Sequence, residues 1–220
     1  MTVSNLTTAA APAAEPVPRT QPAAFYPIVP DAGWVVRLAP LGIATIQLRL
    51  KDAGPADIAR AVIASRDACR DHGVQLIVND HWQAAIDHGC DYVHLGQEDL
   101  AVADLKAIRA AGVRLGISTH TEAELEIALA ARPDYVALGP IYETKLKAMR
   151  FGPQGLDRIR AWKARIGNLP LVAIGGLTPE RAPGAFAAGA DSVAVVTDFL
   201  LHPDPEARVR TWLALVDGRA

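Results

Sequence analysis

The sequence predicts a single (β/α)8 barrel of the TIM class behind a disordered extension over residues 1–22. Three observations predict it. From Ala23 onward, short runs rich in β-formers alternate with amphipathic stretches to the end of the chain. Four of those stretches close on an Ala-Gly or His-Gly step, at His72-Gly73, His88-Gly89, Ala111-Gly112 and Ala188-Gly189, and glycine there supplies a left-handed helix stop. Eight strand–helix units in strict alternation within 220 residues fit one closed parallel barrel. A doubly wound open sheet shares the local pattern but matches the strict alternation less well.

The strands, in order, are read at Phe25–Val29, Thr45–Lys51, Leu76–Asn79, Tyr92–Leu95, Arg114–Ser118, Tyr135–Leu138, Leu171–Ile174 and Ser192–Val196. Each is a short β-branched or aromatic run bounded by turn residues. Helices are read at Gly33–Leu41, Ala56–His72, His81–His88, Val102–Ala111, Glu122–Ala131, Leu156–Ile166, Pro179–Ala188 and Pro205–Leu215. Thr121-x-x-Glu124 is a capping box, and Thr178-Pro179-Glu180 reads as a helix start with proline at its first position. Residues 1–22, rich in Ala, Pro and Thr, hold only Glu15 and Arg19 as charges and carry neither strand pattern nor signal core.

Composition narrows the function. A formal net charge of -2 with no Lys/Arg cluster argues against nucleic acid as a partner. No apolar run approaches the roughly 18 residues that cross a bilayer, which argues against a membrane. Cys69 and Cys90 lack metal-ligand spacing and a disulfide framework, as expected in a reducing compartment, the cytoplasm. Small-molecule substrates are the remaining partners, and a homo-oligomer is compatible with the sequence.

The stretch from Gln75 to Asp99 reads as strand, short helix, strand, with Asn79-Asp80 closing the first strand and Gln97-Glu98-Asp99 following the second. A helical crossover implies parallel strands, whose carboxyl ends share one side of the sheet, so Asp80 and Asp99 emerge at one rim. Two carboxylates there suit a hard divalent cation such as Mg2+, which usually shares its oxygen ligands with substrate phosphates. The competing reading is that each merely caps the helix that follows.

On the second strand Ile46, Leu48 and Leu50 share one face and Gln47, Arg49 and Lys51 the other. The polar set points inward near the mouth, where two cations suit a diphosphate, or else form a salt-bridge lattice with barrel carboxylates. Gly116, Ser118 and His120 share a face at the end of the fifth strand, placed either to orient a heterocycle or to cap the next helix. After the sixth strand the longest loop carries Thr144, Lys145 and Lys147, able to close over phosphate or simply to be solvated. Gly175-Gly176 and Val196-Thr197 end the last two strands, the usual phosphate cradle of this fold.

Together Gln47-x-Arg49-x-Lys51, Asn79-Asp80, His94-Leu-Gly96-Gln-Glu-Asp99, Gly116-x-Ser118-x-His120, Gly139-Pro-x-x-x-Thr144 with Lys147, Gly175-Gly176 and Val196-Thr197 resemble the thiamine phosphate synthase family. The resemblance covers essentially everything after residue 24. It implies a transferase of thiamine biosynthesis that joins hydroxymethylpyrimidine diphosphate to hydroxyethylthiazole phosphate, giving thiamine phosphate and pyrophosphate. It also implies that Asp80 and Asp99 bind Mg2+ and that Arg49, Lys51, Asn79 and Lys147 hold the pyrophosphate. Gln47 and Ser118 would contact the pyrimidine, and Thr144, Gly175, Gly176, Val196 and Thr197 the thiazole phosphate. Arg49, Lys51, Lys147 and Ser118 would carry a dissociative reaction: pyrophosphate departs, the aminopyrimidine bears the methylene cation, and the thiazole nitrogen attacks it. Two positions depart from the family pattern. Leu146 stands where a second lid threonine is usual, which bears on substrate affinity, and Thr197 replaces a serine while keeping the hydroxyl. The rivals are a thiazole tautomerase-like relative, a non-catalytic phosphate-ligand sensor, and a sugar-phosphate isomerase, which would want a general-base pair across the mouth.

Overall fold

The structure, a computed structural model, describes residues 20–144 and 152–218. Eight parallel strands close on themselves in sequence order: β1 (Phe25–Val29), β2 (Thr45–Leu48), β3 (Gln75–Asn79), β4 (Tyr92–Leu95), β5 (Arg114–Thr119), β6 (Tyr135–Leu138), β7 (Leu171–Ile174) and β8 (Ser192–Val195). Helices lie between and after them: α1 (Ala32–Leu38), α2 (Pro55–Asp71), α3 (Trp82–Asp87), α4 (Gln97–Val102), α5 (Leu105–Ala110), α6 (Glu122–Ala130), α7 (Gly155–Ile166), α8 (Ala182–Ala187), α9 (Thr197–Leu200) and α10 (Pro205–Asp217). The predicted closed barrel is therefore the observed fold.

The four predicted glycine stops all have positive φ, at Gly73, Gly89, Gly112 and Gly189. That conformation costs a Cβ-bearing residue strain, and each helix ends there before the chain turns into a strand. Thr121 caps α6 as predicted, its Oγ1 accepting from the Glu124 N–H at 3.2 Å, while the Glu124 carboxylate reaches back to the His120 N–H at 2.6 Å.

Alternation along the strands sorts the core into two shells. Ile46, Leu48, Val78, Val93, Ile117 and Val136 face outward into the large cluster beneath the helices. Tyr26, Ile28, Ile77, Tyr92, Tyr135, Ala137, Val172 and Ala194 fill the barrel itself. The last helix is tied on by Trp212, stacked on Phe25 with ring centroids 5.0 Å apart and donating its indole N–H to Asp198 at 2.8 Å. Cys69 and Cys90 are buried free thiols, pushed up by burial to about 12 and about 11, so they pack as small apolar groups. Among the described residues no helix is long and apolar enough to cross a membrane.

Several boundaries differ from the sequence reading. The second strand ends at Leu48 rather than Lys51, although the Arg49 N–H still reaches the Val29 carbonyl at 2.8 Å. The predicted helix Val102–Ala111 is two helices, because Ala103 is extended and Asp104 caps α5 by accepting from Lys106 and Ala107. The helix expected from Pro179 begins at Ala182, after a turn in which the Thr178 carbonyl accepts from Arg181 and Ala182. The last strand stops at Val195, and Val196 precedes the one-turn α9.

The floor of the barrel is polar and uses residues next to the extension. Thr45 Oγ1 accepts from the Ala23 N–H at 3.0 Å, and the Ser192 hydroxyl donates to the Ala23 carbonyl at 2.5 Å. Pro22 is buried, and the Tyr92 hydroxyl donates to the Thr20 carbonyl at 3.3 Å. Removing residues 1–19 is therefore expected to leave the melting temperature unchanged. Removing 1–22 should cost about 1–3 kcal/mol, since the buried Pro22 is lost and the Tyr92 hydroxyl loses the Thr20 carbonyl, and lower the melting temperature by roughly 5 °C. Thermal denaturation of the two truncations checks both.

Candidate active site

The predicted site residues come from the carboxyl ends of the strands, which all open on one rim because the strands are parallel. Asp80 directly follows β3 and takes a left-handed conformation, φ 65°, sparsely used by any residue with a Cβ. Its N–H donates to the His94 carbonyl at 2.9 Å, and its carbonyl accepts from Trp82 at 2.9 Å. The tight turn aims the carboxylate at the mouth. No side chain caps α3 at its first position, so Asp80 does not act as a helix cap.

Asp99 lies in the first turn of α4, a helix absent from the sequence reading, which placed Gln97-Glu98-Asp99 after the fourth strand and began the next helix at Val102. Burial first, and then the Asp80 carboxylate within hydrogen-bonding reach, raise the Asp99 carboxyl above its ordinary value, while Lys51 opposes the rise. The two carboxylates thus meet, as their positions after neighbouring parallel strands required. Lys51 Nζ lies 3.0 Å from Asp80 Oδ2, with the lysine side chain 52% and the aspartate 16% exposed. This is the carboxylate-paired arrangement weighed for the second strand. Arg49 is exposed rather than buried, and its charge acts on His94 along with that of Asp80. Solvent at the rim relieves the desolvation cost expected of an inward guanidinium.

Gln47 and Asn79 are buried, 2% and 5% exposed. Gln47 is in hydrogen-bond contact with Tyr135 deep in the barrel. Ser118 faces inward from β5, and its hydroxyl lies 2.7 Å from His94 Nε2. Its carbonyl accepts from the Gln97 amide at 2.6 Å. His120, expected to share the face of Ser118, instead binds Glu124 Oε2 through Nδ1 at 2.8 Å and through its N–H at 2.6 Å. For His120 the capping alternative is the one that forms.

Gly175 and Gly176 have φ of 95° and 64°, and a Cβ at Gly176 would fall 2.5 Å from the Glu143 carbonyl and 2.8 Å from Tyr142 Cβ. Glycine is needed there to let the loop after β6 lie against the turn after β7, a close approach between two parts of the protein. Arg181 reinforces the joint: it donates to the Gly176 carbonyl at 2.7 Å and sits 4.8 Å from the Tyr142 ring centroid. Nothing in the local sequence marks Arg181 as part of the mouth. Thr144 is half-buried in this loop, and Val196 and Thr197 are half-buried at the start of α9. Lys145, Leu146 and Lys147 lie outside the described residues.

Sequence reasoning quoted His94 within a family motif but gave neither it nor Tyr135 a role. His94, 6% exposed, has Nδ1 2.7 Å from the Tyr135 hydroxyl and its ring stacked on Tyr135 at 5.5 Å. Burial lowers its pKa to about 4, with Asp80 opposing and Arg49 adding to the shift. The signal available in the sequence is parity: His94 lies two residues after Tyr92 and so faces inward with it.

The fold and rim together define a (β/α)8-barrel enzyme with its polar groups gathered at the carboxyl ends of the strands. The chain belongs to the thiamine monophosphate synthase family, whose model matches residues 26–199. A thiamine-phosphate synthase from Rhizobium etli is 57% identical over 190 residues, covering 86% of this chain and 93% of the relative. One from Neisseria meningitidis is 44% identical over 202 residues, covering 92% and 98%. Among solved structures, a thiamine phosphate pyrophosphorylase from Pyrococcus furiosus superposes with a TM-score of 0.76 over 88% of this chain and 95% of that one, at 24% identity. That likeness speaks to the fold.

The buried imidazole makes stability depend on pH. His94 is neutral in the fold down to about pH 4 but protonates near 6.5 when unfolded, so below 6.5 the unfolded chain binds more protons. Stability should therefore rise with pH between about 4 and 6.5, with about 3 kcal/mol of penalty from this group present below that window and none above it. Urea denaturation across pH should show the acid limb flattened in His94→Gln relative to the parent chain.

Proposed function

We propose that the chain is a thiamine-phosphate synthase that joins hydroxymethylpyrimidine diphosphate to hydroxyethylthiazole phosphate, releasing pyrophosphate, in thiamine biosynthesis. Membership of the family sets the class, and one observation carries the assignment of the site: Asp80 and Asp99 meet at the rim beside Lys51. Two touching carboxylates repel unless a proton or cation lies between them, and oxygen-only ligands suit Mg2+. Among the described residues no cluster of three or more His, Cys, Asp or Glu side chains forms a closed metal cage. Two protein carboxylates with the rest of the shell left to substrate phosphates fit that count. When bound, Mg2+ would neutralise charge on the leaving diphosphate.

The chain's own groups supply the remainder. Lys51 stands beside the carboxylates, Arg49 is exposed at the mouth, and both would hold the diphosphate with Asn79 and with Lys147 of the loop after β6. Gln47 and Ser118, on β2 and β5, would contact the pyrimidine. Thr144, Gly175, Gly176, Val196 and Thr197 line the opposite arc, where the thiazole phosphate would lie. Little proton transfer is asked of the protein, because departure of pyrophosphate creates the electrophile and the thiazole nitrogen already bears its lone pair. A tautomerase-like relative would need an imidazole that exchanges protons at the mouth. His94 is buried with a depressed pKa, and His120 is bound into the capping of α6, so neither supports that reading. A non-catalytic sensor would have no use for the carboxylate pair. The reaction belongs in the cytoplasm with its soluble precursors, and a homo-oligomer is compatible with this reading.

Incubating the purified protein with both precursors, with and without Mg2+, tests the assignment: thiamine phosphate should form only when all are present. Asp99→Asn should melt at the parental temperature or slightly above it, since the amide removes repulsion from Asp80. Its coupling rate should nevertheless fall about tenfold or more, the effect of a lost charge-assisted contact of roughly 1.5–3 kcal/mol, and recover in part as Mg2+ is raised. A parental rate in limiting Mg2+ would reduce Asp99 to a structural residue. Lys51→Ala should weaken pyrimidine diphosphate binding by about tenfold while sparing thiazole phosphate, read by calorimetric titration.

A further inference from the structure

Ser118 can meet a ligand either as hydrogen-bond donor or as acceptor, and the groups behind it decide which. We propose that Tyr135 and His94 are positioning residues that turn the Ser118 hydroxyl into a donor toward a lone-pair nitrogen of the bound heterocycle. The proposal rests on the pyrimidine role given to Ser118 above and deepens it.

The argument is a proton inventory. A neutral imidazole has one N–H and one lone pair. His94 presents Nδ1 to the Tyr135 hydroxyl and Nε2 to the Ser118 hydroxyl, each at 2.7 Å. In one arrangement the Tyr135 O–H donates to Nδ1, Nε2–H donates to Ser118 Oγ, and the serine proton is left for the ligand. In the other, serine donates to Nε2, Nδ1–H donates to Tyr135, and serine can only accept from the ligand. A phenol is far more acidic than an aliphatic hydroxyl and is the stronger donor to an imidazole lone pair, which favours the first. The Gln47 amide, in hydrogen-bond contact with Tyr135, can donate to the phenol oxygen while the phenol's own proton points to His94.

The chain is built to hold this geometry. Gly116 lies between the two rings on β5, where a Cβ would fall 2.1 Å from Tyr135 Cζ, so only glycine lets the phenol cross the strand to reach His94. Stacking of the two rings at an interplanar angle of 21° fixes the imidazole, and the Gln97 amide on the Ser118 carbonyl fixes the serine backbone. What remains free is the direction of one proton, and the network assigns it.

The tautomer is read directly by long-range 15N–1H correlation spectra of the full chain labelled at histidine, with the His94 signals identified by their loss in His94→Gln. The expected result is an Nε2–H imidazole in the parent and a shift toward Nδ1–H in Tyr135→Phe. Coupling kinetics supply the second readout. In Tyr135→Phe the KM for hydroxymethylpyrimidine diphosphate should rise about tenfold, with the KM for thiazole phosphate and kcat within about twofold. An Nδ1–H tautomer in the parent, or equal change in both KM values, overturns the proposal. Should Tyr135→Phe fail to fold, the parental tautomer alone decides it. A parent chain that does not couple the precursors overturns the proposed function, and the tautomer measurement still decides the relay.

Discussion

Side-chain alternation along eight closed parallel strands is the constraint on which the rest of this molecule depends. Every second residue must enter a lumen with no room for bulk water, so each inward polar group has to find a protein partner there. The barrel meets that demand differently at each level. At the floor, Thr45 Oγ1 donates to Gln75 Oε1 at 3.1 Å and accepts from the Ala23 N–H, while the Ser192 hydroxyl donates to the Ala23 carbonyl. In the middle, Tyr26, Gln47, Tyr135 and His94 share hydrogen bonds among apolar neighbours. At the mouth the partners run short, and there the polar side chains turn toward solvent: Arg49, Lys51, Asp80 and Asp99.

The rim carries a conflict that the fold enforces. β3 and β4 are neighbours, so the residues leaving them cannot avoid each other, and both positions carry carboxylates. Lys51 relieves part of the repulsion through Asp80, and burial of Asp99 adds to it. Asp80 bears a further cost of backbone strain at positive φ, of order 1–3 kcal/mol. Strain and repulsion placed together at the open end of a barrel are the cost expected of the ligand-binding role proposed for Asp80 and Asp99, since a hydrophobic pair would suit the fold better.

Much of this was legible in the sequence, for physical reasons that also set its limits. Strands and glycine stops were readable because hydrophobic period and left-handed glycine are local properties. Asp80 and Asp99 were readable as a pair because parallel topology converts sequence order into a shared rim. The break at Ala103 was not, since it is made by Asp104 capping α5, and a single capping aspartate inside a helical pattern looks like an ordinary surface residue. His120 was misdirected because strand alternation was carried one residue too far: β5 ends at Thr119, and beyond it the capping of α6 sets the imidazole. Gly175-Gly176 reads the same whether a ligand or a loop approaches, and only the packing of Tyr142 and Glu143 against it shows that a loop does.

The pairing of Gly116 with Tyr135 shows why the interior of the site escaped a reading by residue type. Tyrosine on an inward strand position looks like core, and a strand glycine looks like a bulge or a ligand approach. Their register neighbours across β5 and β6 make them one object: Gly116 lies opposite Tyr135, and the missing side chain of one is the space taken by the ring of the other. That single substitution of space carries a hydroxyl from β6 across β5 to an imidazole on β4, and from there to Ser118. Three strands thus contribute to the state of one hydroxyl at the mouth. A site of this kind is specified less by the residues that touch a ligand than by the glycine that lets a more distant one reach them.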